Sequence, residues 1–398
     1  MQNILELPIG AMAGISFDCD CGRHHSVDIK QILVGSGVFN QIADTIKLLN
    51  GRCVCIIADG NTYEVAGARA EKLLEAAGIT FHTVLFPSRE RLTPDEAALG
   101  HIVAALNPED DLILTVGSGT LNDLSRLVSF RTGIPYIIAA TAPSMDGYAS
   151  TVSPLILCGE KVTLPGTYPA AIVADTSIMK DAPMEMLTAG FGDIIGKYNS
   201  DTDWRLSSLV NAEHYCKTCA GLVSQAVKKC AENGARLKER DEDAVNYVTQ
   251  ALILSGVAMG LFCDSRPASG AEHHISHYWE VDALSKGMEH SLHGNSVSVA
   301  AVITAHLYEL AKPYLPKELE VPDKATIMSV IASAGAPMTP QDVGISKALF
   351  HESILRAMDT RERYTILRFC DSKGLLECFA DKLTETFYTN HHVAPHKK

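Results

Sequence analysis

The stretch that decides the fold is Asp111-Leu-Ile-Leu-Thr-Val-Gly-Ser-Gly-Thr-Leu-Asn-Asp123. Residues 111–116 form a short apolar run, which is typical of a strand buried on both faces of a sheet. Glycines at 117 and 119 predict a tight turn, and a helix follows it as far as Phe130. Glycine lets the backbone approach a phosphate, and the start of a helix offers free N–H groups. An ordinary tight turn fits the same pattern.

The same alternation of strand and helix covers residues 30–176. The predicted strands are 32–34, 53–58, 80–86, 111–116, 135–140 and 171–175, and the predicted helices are 38–49, 63–77, 94–106 and 120–130. This order indicates a mostly parallel sheet with helices on both faces, whose ligands bind at the carboxyl ends of the strands. Asp59 lies at such an end. Its carboxylate there favours NAD by repelling the 2′-phosphate of NADP, unless Asp59 is only a turn residue before Gly60.

After Pro183 helical periodicity replaces the β-branched runs. The predicted helices are 184–199, 207–233, 240–262, 270–284, 291–311, 324–334 and 347–388. A chain of 398 residues is also too long for one ordinary core. We therefore predict two domains, an α/β nucleotide-binding domain over residues 1–180 and an all-helical metal- and substrate-binding domain over residues 181–398. Residues 389–398 are expected to form a frayed tail.

Composition limits the possible partners and the compartment. The net charge of −13 argues against nucleic-acid binding and against binding to acidic membranes. No run approaches 18 consecutive apolar residues, so we expect no membrane span. Eleven cysteines without an apparent secretory signal indicate free thiols in a reducing compartment. We therefore expect a cytoplasmic protein.

Histidines concentrate in residues 263–298, which hold five of the fifteen in the chain. The five are His273, His274, His277, His290 and His293. His273 and His277 are spaced to share one face of a helix, and neutral imidazole is the commonest metal ligand. Any one histidine on a helix is more often a surface or core residue. Asp193, framed by glycines and apolar residues, is the expected carboxylate ligand, with a helix-start residue or a pair with Lys197 as the alternative.

A second group of metal-ligating residue types stands near the N-terminus. Cys19 and Cys21, with His24 or His25, have the composition of a zinc knuckle. No second pair of ligands stands nearby at ligand spacing, and Cys-x-Cys is a weaker signal than Cys-x-x-Cys. We therefore favour an exposed β-hairpin turn over a structural metal site.

Five motifs together resemble a known family. They are Gly-Ser-Gly-Thr-Leu-Asn-Asp from 117, Thr-Ala-Pro-Ser-Met-Asp-Gly from 141, Gly-Phe-Gly-Asp from 190, Ser-Gly-Ala-Glu-His-His-Ile-Ser-His from 269 and Leu-His-Gly from 292. In this order they resemble the sn-glycerol-1-phosphate dehydrogenases. That family belongs to the superfamily of iron-containing alcohol dehydrogenases, glycerol dehydrogenases and dehydroquinate synthases. The likeness extends from about residue 30 to 370 and is greatest to the bacterial branch.

The resemblance implies roles for individual residues. It implies that Asp193, His273 and His293 hold a metal, that these three and His277 are catalytic, and that Asp146, Asp193 and His277 lie near the substrate. It also implies a set of cofactor contacts. These are Asp59, Gly119, Thr120, Leu121, Asn122, Asp123, Thr141, Ala142, Pro143, Ser144 and Ser150.

The resemblance further implies an activity. The expected reaction is the reversible, NAD- or NADP-linked reduction of dihydroxyacetone phosphate to sn-glycerol 1-phosphate for phospholipid biosynthesis. It would use one divalent zinc, nickel or iron ion, in a homodimer or a higher homo-oligomer. The alternatives are an NAD-dependent glycerol or polyol dehydrogenase and a dehydroquinate-synthase-like lyase. Candidates for holding the substrate phosphate are Lys197, Arg266 and Lys286.

Overall fold

The strands of the first half of the chain form one central sheet and two small hairpins. In the computed structural model of the protein, which describes residues 4–388, the sheet has six parallel strands in the order β3-β10-β7-β6-β4-β5. The hairpins are β1–β2 and β8–β9. The strands are β1 Ser16–Asp18, β2 His24–Ser26, β3 Gln31–Gly35, β4 Cys53–Asp59, β5 Thr80–Phe86, β6 Leu112–Gly117, β7 Tyr136–Ala140, β8 Val152–Leu157, β9 Glu160–Pro165 and β10 Ala171–Asp175.

Helices connect the strands of the sheet and account for most of the second half. A π-helical turn, Tyr63–Gly67, joins α2 to α3. The helices are α1 Ile42–Leu48, α2 Gly60–Thr62, α3 Ala68–Ala76, α4 Glu96–Ala105, α5 Gly119–Thr132, α6 Thr176–Met179, α7 Met184–Asn211, α8 Lys217–Asn233, α9 Glu242–Phe262, α10 Ala271–Ser285, α11 His293–Ala311, α12 Lys324–Ala334, α13 Lys347–Arg356, α14 Ile366–Ser372 and α15 Leu376–Tyr388.

The order of the strands opens a crevice in the sheet. β4 and β6 are neighbours, but the chain continues from β4 to one edge of the sheet and from β6 to the other. Connections that leave in opposite directions cannot cover the carboxyl ends of these two strands, and ligands of such sheets bind there. Asp59 and Gly117 are the last residues of β4 and β6.

The predicted fold class, a mostly parallel α/β sheet followed by a helical C-terminal region, is confirmed. One apolar core, which includes Ile46 and Val54, covers one face of the sheet. The larger core includes Ile57 and Ile113 on the other face and continues through the helices of the second half. The division into domains at residue 180 stays a prediction, and the predicted tail at 389–398 lies outside the described residues.

Three local predictions differ from the structure. The helix expected over 347–388 is divided into α13, α14 and α15. The expected break between 199 and 207 is absent, because α7 is one helix of 28 residues. The polar residues there resemble a loop in sequence, but Asp203 is buried and accepts hydrogen bonds from the Tyr308 hydroxyl and the Ile366 amide. The β8–β9 hairpin was not predicted. It brings Lys161 of β9 against Glu280 of α10.

One helix of the described residues is markedly apolar. α9 is long and apolar enough to cross a membrane by length and composition alone. Most of its apolar window is buried inside the protein, where it packs against α8. Those contacts are typical of the central helix of a helical core, and such helices commonly have this composition.

Candidate active site

The site is built where α7 passes close to two other parts of the chain. A methyl group in place of the hydrogen on Gly190 would overlap the carbonyl oxygen of Pro143, in the loop after β7. A methyl group on Gly294 would overlap the carbonyl oxygen of Ala189 in α7. Only glycine permits these two approaches. They place Asp193, one turn after Ala189, opposite His293 at the start of α11 and beside the carboxyl edge of the sheet.

A set of buried carboxylates fixes the start of α10, which carries His273. Asp203 accepts a hydrogen bond from the Ala271 amide at 2.7 Å, and Glu272 accepts one from the Gly270 amide at 2.7 Å. Carboxylates at the first turn of a helix satisfy its free N–H groups and interact favourably with its dipole. His273, the third residue of α10, is therefore held in a defined position, with little of its surface exposed.

The three predicted metal ligands converge. Ligand atoms of Asp193, His273 and His293 all lie within 4.8 Å of one another. His273 Nε2 is 3.5 Å from Asp193 Oδ1, and the two imidazole rings are 5.3 Å apart between centroids. Metal–ligand bonds of about 2.1 Å in a tetrahedral site separate neighbouring ligand atoms by roughly 3.4 Å. The residues therefore fit a divalent cation with at least one open position.

Two glutamates that the sequence did not single out orient the histidines. His273 Nδ1 lies 2.8 Å from Glu272 Oε1, and His293 Nδ1 lies 2.6 Å from Glu280 Oε1. Because a carboxylate only accepts, each Nδ1 carries the proton and each Nε2 keeps a free lone pair for a metal. Glu280 follows His273 by seven residues, so both occupy one face of α10. That spacing was the available signal for Glu280.

Lys197 occupies the centre of this network and is fully buried. Its ammonium group donates to Asp193 Oδ1 at 2.7 Å and to the Ala268 carbonyl at 3.1 Å, and it lies 3.0 Å from Asp146 Oδ2. Burial raises the pKa of Asp193, but Lys197 and His273 outweigh that effect, so the pKa lies well below its ordinary value. Lys197 has no donor left for a substrate phosphate and instead keeps Asp193 ionised.

The charges around the ligands do not balance among themselves. Four carboxylates, from Asp146, Asp193, Glu272 and Glu280, are ion-paired with the two ammonium groups of Lys161 and Lys197 and with the site histidines. With neutral imidazoles these six groups carry a net charge of −2, of which Arg361 offsets a part through Glu280. Uncompensated charge inside a protein is costly, and a divalent cation neutralises it.

A second, overlapping group of ligand types is also present. Ligand atoms of His277, Glu280 and His293 lie within 4.8 Å of one another. Glu280 already contacts Lys161 with one oxygen and His293 Nδ1 with the other. A ring nitrogen that donates its proton to a carboxylate cannot bind a metal at the same time, which leaves His293 Nε2 for the Asp193 set. His277 is then a third imidazole beside the site, 5.2 Å from His293 between ring centroids.

The other two histidines of the cluster stand outside these contacts. His274 is completely buried, and neither of its ring nitrogens has a hydrogen-bond partner within residues 4–388. Burial, and then the nearby Arg363, lower its pKa well below the ordinary value, so its ring is neutral. His290 Nδ1 donates to the Ser291 carbonyl at 2.8 Å.

The turn after β6 has the features of a phosphate-binding site. Ser118 precedes α5, but its side chain does not cap the helix. The first i→i−4 bond there runs from the Asn122 amide to the Ser118 carbonyl at 3.0 Å. The amides of Gly119, Thr120 and Leu121 therefore come before the helical hydrogen-bond ladder, where a phosphate can accept from them.

The remaining predicted cofactor residues divide into two groups. Thr141, Ala142, Pro143 and Ser144 follow β7, and the Thr141 amide donates to the Gly117 carbonyl at 3.0 Å. The second group consists of Asn122, Asp123 and Ser150, whose side chains fix the loop over residues 147–152. Asn122 is buried and donates to the Gly147 carbonyl at 3.2 Å, Asp123 pairs with Arg126 at 2.5 Å, and Ser150 Oγ accepts from the Val152 amide at 3.1 Å.

Asp59 has the local role of a helix cap. Its Oδ1 accepts from the amides of Asn61 at 2.9 Å and Thr62 at 2.8 Å, which starts α2 at the carboxyl end of β4. The turn-residue alternative is therefore realised. The same carboxylate still borders the crevice between β4 and β6, so capping and a contact with a nucleotide ribose are compatible.

Comparisons with known proteins relate the chain to one enzyme superfamily. Residues 33–183 match the family model of iron-containing alcohol dehydrogenases. A glycerol-1-phosphate dehydrogenase [NAD(P)+] from Halalkalibacterium halodurans is 33% identical over 390 residues, covering 91% of this chain and 97% of its own. One from Methanosarcina mazei is 34% identical over 356 residues, covering 89% and 93%. The solved glycerol dehydrogenase of Schizosaccharomyces pombe, 18% identical, has the same fold, with a TM-score of 0.68 over 92% of this chain and 93% of that one.

Replacing His293 with Ala tests the metal ligands. We expect loss of the active-site metal and of activity with unchanged helix content, because one of three protein ligands disappears while α11 keeps its packing. Metal analysis of the purified protein, circular dichroism and an activity assay measure the three quantities. His290→Ala is the matched control, since its ring bonds only a neighbouring carbonyl. Normal metal content and turnover in the His293 variant would exclude the assignment.

Proposed function

Because the chain belongs to the glycerol-1-phosphate dehydrogenases, within the iron-containing alcohol dehydrogenase superfamily, we propose that its site interconverts dihydroxyacetone phosphate and sn-glycerol 1-phosphate with NAD(P)H and a divalent metal. One observation carries the proposal. The Asp146 amide, in the loop that follows β7, donates to Asp193 Oδ2 at 3.0 Å. This bond joins the carboxyl edge of the sheet, where the nucleotide would bind, to the metal ligands. The nicotinamide and the carbonyl group of the substrate can therefore meet there.

The reaction divides between the bound groups and the residues of the chain. When bound, the metal supplies Lewis acidity at the C2 oxygen and the nicotinamide supplies the hydride. Asp193, His273 and His293 hold the metal, and two histidines with one carboxylate suit zinc, nickel or iron. Burial, and then Lys161 and Arg361, lower the pKa of His277 well below its ordinary value. A neutral imidazole donates from one nitrogen and accepts at the other, so His277 can relay the proton between substrate oxygen and solvent.

The substrate phosphate needs cations other than those first considered. Lys197 is saturated, and Lys286 is paired with Asp282. Arg266 forms a bidentate pair with Glu213 at 2.5 and 2.7 Å. We assign the role instead to Arg361, because Lys161 is already paired with Glu280. Arg361 lies near enough to His277 to lower its pKa, and no side-chain hydrogen bond of Arg361 is found within the described part of the chain. A guanidinium so placed suits a phosphate group.

Substrate preference tests the proposal directly. We expect the specificity constant for dihydroxyacetone phosphate to exceed that for dihydroxyacetone about a hundredfold, the effect of losing one or two charged hydrogen bonds worth about 3 kcal/mol. Both ketones are compared with NADH and saturating metal. Equal constants would indicate a glycerol dehydrogenase. Arg361→Ala should lower the ratio of the two specificity constants, mainly by raising KM for dihydroxyacetone phosphate. Arg356→Ala is the control, because Arg356 is an exposed residue of the same chain segment, and it should leave the ratio unchanged.

Cofactor preference tests the role of Asp59. We expect Asp59→Asn to raise the ratio of NADPH to NADH activity roughly tenfold, since it removes a charge that repels the 2′-phosphate. Asparagine keeps the oxygen that caps α2, so stability should change little. Asp95→Asn is the control, because Asp95 caps α4 in the same way. An unchanged ratio would mean that Asp59 is a cap and nothing more.

The cellular setting of this activity is also a proposal. None of the eleven cysteines forms a disulfide, as expected in a reducing compartment, and we propose that the enzyme is cytoplasmic. The homodimer or higher homo-oligomer implied by the resemblance stays a prediction.

A further inference from the structure

We propose that Cys19, Cys21, His25 and Cys216 bind a structural zinc ion at a second site that shares no residue with the active site. Their ligand atoms lie within 4.8 Å of one another. Cys19 and Cys21 occupy the turn between β1 and β2, His25 lies in β2, and Cys216 directly precedes α8. The hairpin predicted from sequence is therefore present, but its cysteines are half-buried against the helices rather than fully exposed.

The distances fit a tetrahedral zinc site. Cys19 Sγ lies 3.8 Å from Cys216 Sγ, and His25 Nε2 lies 3.3 Å from Cys21 Sγ and 3.4 Å from Cys216 Sγ. Zinc–sulfur bonds of about 2.3 Å and zinc–nitrogen bonds of about 2.1 Å give tetrahedral edges of roughly 3.8 Å between sulfurs and 3.6 Å from sulfur to nitrogen. A disulfide would need its two sulfurs about 2.05 Å apart. The three cysteines of the cluster and the neighbouring Cys219 form no disulfide.

The imidazole of His25 is already set for metal binding. Its ring is 1% exposed, and Nδ1 donates to the Leu261 carbonyl near the end of α9 at 2.5 Å. This bond fixes the proton on Nδ1 and turns the lone pair of Nε2 toward the sulfurs. The arrangement matches that of His273 and His293, with a backbone carbonyl in place of a glutamate.

The position of Cys216 favours a thiolate. Cys216 is the N-cap of α8, a helix of 17 residues, and its Sγ accepts a hydrogen bond from the Cys219 amide at 3.4 Å. The positive end of a helix dipole stabilises a thiolate, which is the form that binds zinc. Cys19 Sγ lies 3.3 Å from Thr218 Oγ1, to which it donates as a thiol; as a thiolate it would accept from that hydroxyl.

The composition of the cluster indicates its chemistry. Three thiolates and one imidazole select zinc over magnesium or calcium, which prefer oxygen ligands. Four protein ligands close a tetrahedral site and leave no position for a substrate, so the role is structural. The ion would join the hairpin to the start of α8, because His25 and Cys216 are 191 positions apart in the chain.

Metal analysis of the full chain tests this second site. We expect two metals per chain in the wild type and one in His293→Ala. With cobalt as the probe, the remaining ion should show a strong thiolate-to-cobalt charge-transfer band in the near ultraviolet. Cys21→Ser and Cys216→Ser should remove that band, and Cys158→Ser, at an exposed cysteine outside the cluster, should leave it intact.

Several outcomes would overturn the proposal. They are a His293→Ala protein without any thiolate–cobalt band, a Cys216→Ser protein that keeps the wild-type metal content, and a Cys19–Cys216 disulfide in protein purified under reducing conditions. If the serine variants do not fold, the band in His293→Ala decides the question alone. Failure of the active-site assignment would leave that band unchanged, so the two tests are distinguishable.

Discussion

The contact between the backbones of α7 and α11 is the constraint on which the site depends. Gly294 lies against the Ala189 carbonyl, and Gly190 lies against the Pro143 carbonyl. A side chain at either position would push the helices apart or lift α7 from the sheet. Because both approaches are made, a carboxylate from α7 and an imidazole from α11 reach the same point at the nucleotide edge. A glycine inside a helix, such as Gly190 in α7, costs stability, and here that cost positions the ligands.

Buried charge then determines how the ligands are oriented. Asp193 is held by Lys197 and by the Asp146 amide, and His273 and His293 are each held by a glutamate on α10. Groups fixed in this way need little reorganisation when a cation enters. The low dielectric around them strengthens each interaction but would make an unpaired member costly. Asp193, His273 and His293 accordingly each have such a partner, whereas Glu272 Oε2 and both ring nitrogens of His274 have none among the described residues.

The sheet and the candidate ligands could be predicted from the sequence, but the residues that orient those ligands could not. Largely apolar runs such as 112–116 predict buried strands, and the family motifs single out Asp193, His273 and His293, whose ligand atoms converge in the structure. Glu272 and Glu280 were missed because their role depends on which ring nitrogen they face. Lys197 was misjudged as a phosphate candidate because its burial and its partners are not visible in a sequence. Cys216 was missed because it joins the hairpin only through the fold, far along the chain.

The most direct test of the account is an anomalous scattering measurement on crystals of the zinc-loaded protein at the zinc edge. It locates each ion without reference to activity. The account predicts a zinc ion bound by Asp193, by Nε2 of His273 and by Nε2 of His293. The Nδ1 atom of each histidine should still donate its hydrogen bond to its glutamate. A peak bonded to His277, Glu280 and His293, with Asp193 held only by Lys197, would contradict it.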